Sequence, residues 1–409
     1  MTLTAFNVVV PAILATKLAF SFSKLSDVVK YDHQLSSPLT SFSQLQEGLY
    51  LFDHSIDPYA GGTFRHSPLL LALFSTVLPS SRTFAPFVWV LFDAIGAWAL
   101  VNIWRARQNV ASSARDGVIA TLYLANPYLL LPSLALSTST IENALILLSI
   151  MFSCQRKSSA ALLALAFGSQ LSPLAAFTLP PLLLLLITDP HSHLASPKPL
   201  SVSIRKTLPY LAEFFAYFAV LTFCATLVTG DWKWVSQTWG TWLTLLDTTP
   251  NPGLWWYFFT EMFDHFRPFF LMAFTVHLAT YVVPLCIKFQ YDPLFALFLL
   301  LGLLGTFKAY PTLSDPGLFL SMLSVFPEIF PYLRHHTVTA ILHLHAALLL
   351  PLFNHLWLVQ GTGNANFFYA STLVFACANG AAVMDCLYAG MRIAIGANSE
   401  ADGHFVVQE

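Results

Sequence analysis

Residues 57–79 read DPYAGGTFRHSPLLLALFSTVLP. Two glycines, an Asp, an Arg and a His crowd the entrance to an apolar block over 68–78, and Pro79 with the following Ser-Ser-Arg-Thr closes it. At 1.5 Å per residue the block reaches about 16 Å, roughly half the hydrocarbon thickness of a bilayer. It is too short to cross. We read it as a half-helix that enters and returns on one side, packed among other helices so that its irregular ends find partners. Pro68 suits its first turn, where a missing N–H costs little. Gly61 and Gly62 open backbone conformations that other residues disfavour.

The rest of the chain supplies the membrane. Of 409 residues, 56% are hydrophobic and only 10% charged, against about 25% charged in a soluble domain. So few charges cannot cover a globular surface, and the exterior must face lipid. Net charge is −2, with no basic run to suggest nucleic-acid binding. The cysteines, Cys154, Cys224, Cys286, Cys377 and Cys386, lie in or beside apolar blocks without CxxC spacing, and read as small apolar residues inside helices. The stretch 5–22 lacks a basic leader and a small-residue cleavage site, so we expect a retained first span.

Crossing takes about 20 apolar residues. Spans are expected at 5–22, 84–104, 117–131, 141–154, 208–229, 267–287, 293–307, 317–330, 338–358 and 367–389, with 160–187 folded as a hairpin of two shorter helices. The fold class is an all-α polytopic membrane protein of about 10–12 transmembrane helices plus half-helices, in a GT-C-like arrangement. This layout gathers Arg105, Arg107, Arg115, Arg156, Lys157, Lys198, Arg205, Lys206, Lys288, Arg334 and Arg392 at one end, which is then cytosolic. Both termini fall on that side, with a transmembrane domain over 1–395 and a short cytosolic tail at 396–409. The opposite, lumenal end receives the loops 23–66, 132–140, 230–266, 308–316 and 359–366. Six tryptophans between Trp232 and Trp256 mark one of these loops and are expected to lie at the interface, on an amphipathic helix or as a lipid-binding wall.

The lumenal face is where chemistry must be sought. Membrane glycosyltransferases of GT-C architecture keep an acidic pair in their first large lumenal loop. Here Asp27, Asp32, Glu47, Asp53 and Asp57 are present, but no Asp-x-Asp or Asp-Asp occurs. A glycosyltransferase acting on a lipid-linked sugar through a dispersed acid such as Asp32 or Asp57 is the alternative reading. No metal or cofactor pattern is found: His343 and His345 fall on opposite helix faces, and Glu261 with His265 could share one. Lys17, Asp93 and Asp385 lie inside apolar segments, where charges are costly and are expected to pair.

Longer strings then become informative. NPGLWWYFFTEMFDHFRPFF (251–270), FKAYPTLSDPGLFLS (307–321), HLWLVQGTGNANFFYASTLVF (355–375) and the first-loop string 37–70 resemble the PIG-U family, the polytopic subunit of GPI transamidase. The resemblance implies an endoplasmic-reticulum complex that replaces a C-terminal signal with a GPI glycolipid. It also implies a caspase-like partner subunit that carries the catalytic cysteine and histidine, while this chain binds the lipid and is itself non-catalytic. The family's functional asparagines look similar to Asn364 and Asn366, with Phe367, Phe368 and Tyr369 as an apolar wall. An Asn offers donors and acceptors without charge, which suits phosphate and sugar hydroxyls beside lipid tails. The same residues could instead cap the last helix. Arg65 and His66 stand at the membrane face as a structural turn or a second head-group contact. Glu142 departs from the family, where a neutral amide is usual.

Overall fold

A computed structural model describes residues 5–81, 83–200, 202–244 and 248–396, all helix, turn or loop, with no strand among them. The expected tail, 396–409, lies beyond Gly396 outside the described residues. The chain opens with α1 (Ala5–Ser21), α2 (Lys24–Val29), α3 (Phe42–Asp53) and α4 (Pro68–Thr76). Here α4 is the short helix expected from 68–78. Ser67 caps it by accepting from Leu69 N–H at 3.4 Å, and Pro68 fills its first turn. Its Leu70, Leu71 and Phe74 are buried against Phe42, Leu45 and Trp89. In the turn ahead of it, Gly62 holds φ +71°, the left-handed conformation that glycine adopts without a Cβ penalty.

Next come α5 (Ala85–Gln108), α6 (Asp116–Leu124), α7 (Pro127–Leu134), α8 (Ser139–Cys154), α9 (Ser158–Leu171) and α10 (Leu179–Ile187). Asn126–Pro127 breaks α6 from α7 with a bend of 53°. The block 160–187 divides at Ser172 into α9 and a 3₁₀ turn leading into α10. The chain continues with α11 (Leu208–Thr229), the short α12 (Lys233–Gln237), α13 (Trp239–Thr244) and α14 (Trp256–Glu261), then α15 (Arg267–Val276) and α16 (Ala279–Lys288). It ends in α17 (Pro293–Phe307), α18 (Ser314–Met322), α19 (His336–Asn354) and α20 (Ala365–Ile395).

Five described helical stretches are long and apolar enough to cross a membrane, six if the bent α6–α7 pair is one span, and α1, α8, α9, α10 and α17 add shorter apolar helices. The architecture is that of an all-α polytopic membrane protein. Two expected spans differ: 117–131 is the bent α6–α7 pair, and the other is broken into shorter pieces. Residues 317–330 do not form a single helix: α18 stops at Met322, and 3₁₀ turns follow at Leu323–Val325 and Pro327–Tyr332. Pro327 and Pro331 each remove a backbone donor, which ends a helix.

Buried charge ties the helices together. Lys17 of α1 forms an ion pair with Asp93 of α5, and Asp93 also accepts from the Ser133 hydroxyl of α7 at 2.6 Å. Asp385 of α20 has no such cation. Its carboxylate accepts the backbone N–H of Arg334 (2.7 Å) and His335 (3.0 Å), capping the start of α19. At the arginine-rich end, Arg107 is wholly buried and clamps Asp292 through two bonds of 3.0 and 2.9 Å. It also donates to Glu328 at 2.9 and 2.5 Å and to Ser192 at 3.2 Å. Asp292 in turn caps α17 by accepting from Phe295 N–H. Elsewhere small residues let helices touch: a Cβ at Gly96 would run into the Tyr123 hydroxyl, and one at Gly390 would strike the Phe295 ring.

These contacts make three stability tests. Lys17→Met leaves Asp93 buried without its cation and should cost about 3–5 kcal/mol, whereas Lys17→Met with Asp93→Leu should recover most of it; thermal unfolding in detergent reads both. Arg107→Lys keeps the charge but loses the planar fork onto two carboxylates, and should lower the melting temperature clearly more than Arg105→Lys at the half-exposed Arg105–Asp116 pair. His66 is buried, its Nε2 on the Ser41 carbonyl at 2.8 Å, and burial outweighs that bond to push its pKa down from 6.5 to about 4. The unfolded chain therefore takes up the proton first, so stability present above pH 6.5 is lost as pH falls toward 4, by up to about 3 kcal/mol. His66→Gln should flatten that part of the pH profile of unfolding.

Candidate functional site

The N-terminal end of α20 is built by a tight return of the chain. After α19 a single π turn, His355–Val359, leads into Gln-Gly-Thr-Gly. The backbone N–H groups of Thr362 and Gly363 both donate to the Leu356 carbonyl at 3.0 Å. Gly361 makes this possible at φ +67°. Asn364 then caps α20, its side chain accepting from Phe367 N–H at 3.2 Å. One of the two asparagines is thus a helix cap, as its residue type allows.

Asn366 is placed differently. Its side-chain oxygen accepts a hydrogen bond from the hydroxyl of Tyr257, which reaches across from α14, 109 residues away in sequence. Partial desolvation and the nearby Glu261 carboxylate raise the Tyr257 phenol above its ordinary pKa, so it stays a donor. The Asn366 amide nitrogen, on an exposed residue, has no protein partner among the described residues. Below it an aromatic wall assembles. Tyr257 stacks on Tyr369 at 4.8 Å, and Trp256 stacks on Trp357 at 6.0 Å and lies 5.7 Å from Phe368. The Tyr369 hydroxyl donates to the Leu254 carbonyl at 3.2 Å, fixing the loop before α14. Phe368 is fully buried in this wall, while Phe367 turns outward, 54% exposed, and stacks on Phe353. The buried Trp256 indole N–H has no hydrogen-bond partner. A buried donor left unpaired costs about 1–3 kcal/mol, so such a group calls for an explanation.

Arg65 and His66 belong elsewhere. His66 packs 5.7 Å from Phe64, and its carbonyl accepts the Tyr59 hydroxyl at 2.9 Å, in the cluster around Trp89 and Trp234. The Trp256–Phe368 wall is a separate cluster. Arg65 is half-buried beside His66. The first-loop acids are also dispersed. Asp32 accepts from Gln34 N–H (2.8 Å), Asp57 accepts from Tyr59 N–H (2.9 Å), and Glu47 and Asp53 are exposed. Among the described residues no three His, Cys, Asp or Glu gather to hold a metal.

In the tryptophan-rich loop Trp234, Trp242 and Trp256 are buried, Trp232 is exposed, and Trp255 donates to the Phe307 carbonyl at 3.1 Å. One expectation changes. Glu261 and His265 share no helix face, because α14 ends at Glu261 and Met262 is extended. Sequence reading missed Tyr257 as the partner of Asn366, and Trp256 and Trp357 as the rings packed on Phe368; the WWY run was the available signal, without its direction. Glu142 lies buried on α8 near Lys308 and Asp315, which pair at 2.8 Å.

Comparison with known proteins bears on the same residues. The model of the family described as "GPI transamidase subunit PIG-U" matches residues 11–375. The chain is 34% identical over 398 residues to the GPI transamidase component GAB1 of Saccharomyces cerevisiae, covering 96% of each. It is 30% identical over 411 residues to the GPI-anchor transamidase component PIGU of Homo sapiens, covering 93% of this chain and 92% of the human one. A GAB1 homolog of Schizosaccharomyces pombe is 34% identical over 362 residues, covering 87% of this chain and 86% of its own. Matched across nearly its whole length, and carrying its Asn366–Tyr257 pair inside those limits, the chain belongs to the PIG-U family of GPI transamidase subunits.

Proposed function

We propose that this chain recognises the GPI glycolipid and positions it for attachment to the C-terminus of precursor proteins, with the catalytic cysteine and histidine supplied by a caspase-like subunit. The observation that carries this reading is the end of α20. A neutral amide with an uncommitted N–H₂ stands over an aromatic wall whose buried Trp256 N–H is also without a partner. Phosphate and sugar oxygens supply the acceptor that the exposed Asn366 N–H₂ lacks, and the wall suits the apolar part of the same ligand. Asn364 acts here through the helix end that it caps, and Phe367 through the lipid-facing surface. Arg65 and His66 contribute a structural turn first. In this reading the chain sits in the endoplasmic-reticulum membrane with both termini cytosolic, which puts the α20 N-terminus on the lumenal side. Dispersal of the first-loop carboxylates leaves a sugar-transfer reaction without its acid pair.

The test is complementation of cells lacking their own copy. Asn366→Asp places a carboxylate where phosphate is expected. It should reduce surface GPI-anchored protein by about tenfold, the worth of one charge-assisted hydrogen bond, while the chain still co-purifies with its partners. Tyr257→Phe should give an intermediate reduction. Normal GPI attachment in both variants at normal expression would remove the site.

A further inference from the structure

A second cavity system lies beneath α19 and is lined by neither Asn366 nor Tyr257. One cavity of about 590 Å³ is bounded by the α6–α7 break, α18 and α19. A neighbouring one of about 360 Å³ runs on toward the start of α19 and shares Leu320, Leu323 and His343 with it. The two make one trough. It exists because neither neighbour passes straight. Asn126 caps α7 by accepting from Tyr128 N–H at 3.0 Å and donates to the Gly317 carbonyl (3.2 Å) and Ser321 (3.0 Å). This holds the bend open against an α18 that itself ends at Met322. Over the trough, α19 presents His336, Thr339, Ala340, His343 and Ala347, one stripe at helical spacing whose two alanines give it width.

The lining is apolar with polar markers at one end. The Thr339 hydroxyl is buried and has no hydrogen-bond partner, on a residue only 9% exposed. A helical threonine can return its proton to the carbonyl four residues back; here that carbonyl, on His335, receives the Thr339 N–H at 2.9 Å and not the hydroxyl. At the mouth stand exposed Arg334 and His336, together with Asp385, whose oxygens accept the Arg334 and His335 N–H groups. The deeper His343 is already engaged, its Nε2 on Asn379 at 3.1 Å and its Nδ1 on the Thr339 carbonyl at 2.9 Å. Cys386 lines the wall between them.

We propose that this trough holds one acyl chain of a zwitterionic glycerophospholipid from the leaflet at the arginine-rich end, with the lipid's ester and phosphate oxygens on Thr339 and His336 at its mouth. Size favours a chain over a partner's helix. A helix with side chains is about 10–12 Å across and sweeps on the order of 1,200 Å³ in three turns, more than the trough contains. Volumes of this order are those of small-ligand sites. Charge favours a zwitterion over an anionic head-group: His336 in the lining can donate to a phosphate, and the Asp385 carboxylate, held by two backbone N–H groups, repels a further anion. The trough shares the apolar cluster of Tyr128 with the Asn366 wall but none of Trp256, Tyr257, Trp357, Phe368 or Tyr369 lines it, so its labelling is read independently of the glycolipid reading.

The assembly containing the full chain, reconstituted in phosphatidylcholine vesicles doped with phosphatidylethanolamine carrying a diazirine on one acyl chain, provides the test. Ultraviolet labelling should map to residues 317–324 and 336–347. Ala340→Trp and Ala347→Trp, which fill the trough from the mostly lipid-facing α19, should cut labelling by about tenfold at unchanged assembly yield. Thr339→Val keeps the volume and should cut it by about threefold, the worth of one hydrogen bond. Labelling spread evenly over the lipid-facing helices and indifferent to these variants overturns the proposal. Labelling of a partner's transmembrane helix lodged at 336–347 overturns it as well. Stronger labelling by a phosphatidylserine probe than by phosphatidylethanolamine overturns the charge argument and the head-group assignment with it.

Discussion

The Arg107 cluster is the constraint on which the arginine-rich end depends. One guanidinium joins the end of α5, Ser192 after α10, Asp292 at the head of α17 and Glu328 between α18 and α19, across sequence separations of up to 221 residues. A planar fork with five donors holds two carboxylates and a hydroxyl at once in fixed geometry, where a lysine has only three donors on a point charge. Arg107 and Asp292 are buried, so removing the guanidinium would leave two neighbouring carboxylates uncompensated in a poorly polarisable setting. The ring of Phe326 lies 4.5 Å from the guanidinium carbon and covers one face. Four segments thereby acquire a fixed relative position that apolar packing between uniformly greasy helices would not specify. In lipid the hydrophobic effect does little to choose one helix register over another, and polar contacts and close small-residue approaches take on that work.

At the opposite end the link is made by backbone. The Gln34 carbonyl accepts Leu313 N–H at 3.1 Å, and the Thr40 carbonyl accepts Thr138 N–H at 3.0 Å. The first loop is therefore stitched to the loops before α8 and α18. Trp89 adds an indole bond to the Ser137 carbonyl at 2.8 Å. Long polar loops at this end become a floor on which α14 and the start of α20 can meet, and the Tyr257–Asn366 contact inherits its geometry from that floor.

Sequence made the local features legible and hid the distant ones. Pro68 after Ser67 and Asn364 before an apolar run each announce a helix start through the chemistry of one turn, and each stands where a helix starts, whereas the start at Asn126–Pro127 falls inside the expected span 117–131. Arg107 misled: counted among loop charges, it is correctly placed at the arginine-rich end but buried, because its partners Asp292 and Glu328 are invisible at short range. Lys17 and Asp93 were recognisable as intramembrane charges needing partners; that they serve each other, and that Asp385 instead serves two backbone N–H groups, is decided by helix packing. The tryptophan-rich loop carried the right composition for an interface belt. Which of its rings pack inward (Trp234, Trp242 and Trp256) and which stays exposed (Trp232) is decided by tertiary contacts that composition does not carry.

The proposed glycolipid site gains its character from being uncharged. A carboxylate in place of Asn366 would repel a phosphate, and a lysine would hold that phosphate tightly as a full charge. An amide avoids both, giving modest hydrogen bonds that form and break with little reorganisation. Tyr257, kept protonated, fixes the amide oxygen and so turns the N–H₂ side toward the ligand. The aromatic wall is rigid, since Trp256, Tyr257, Trp357 and Tyr369 are mutually stacked or edge-on. A site made this way suits a task in which a lipid must be held in register for a neighbour's chemistry and then released. Tight binding would slow that second half, and neutrality limits it.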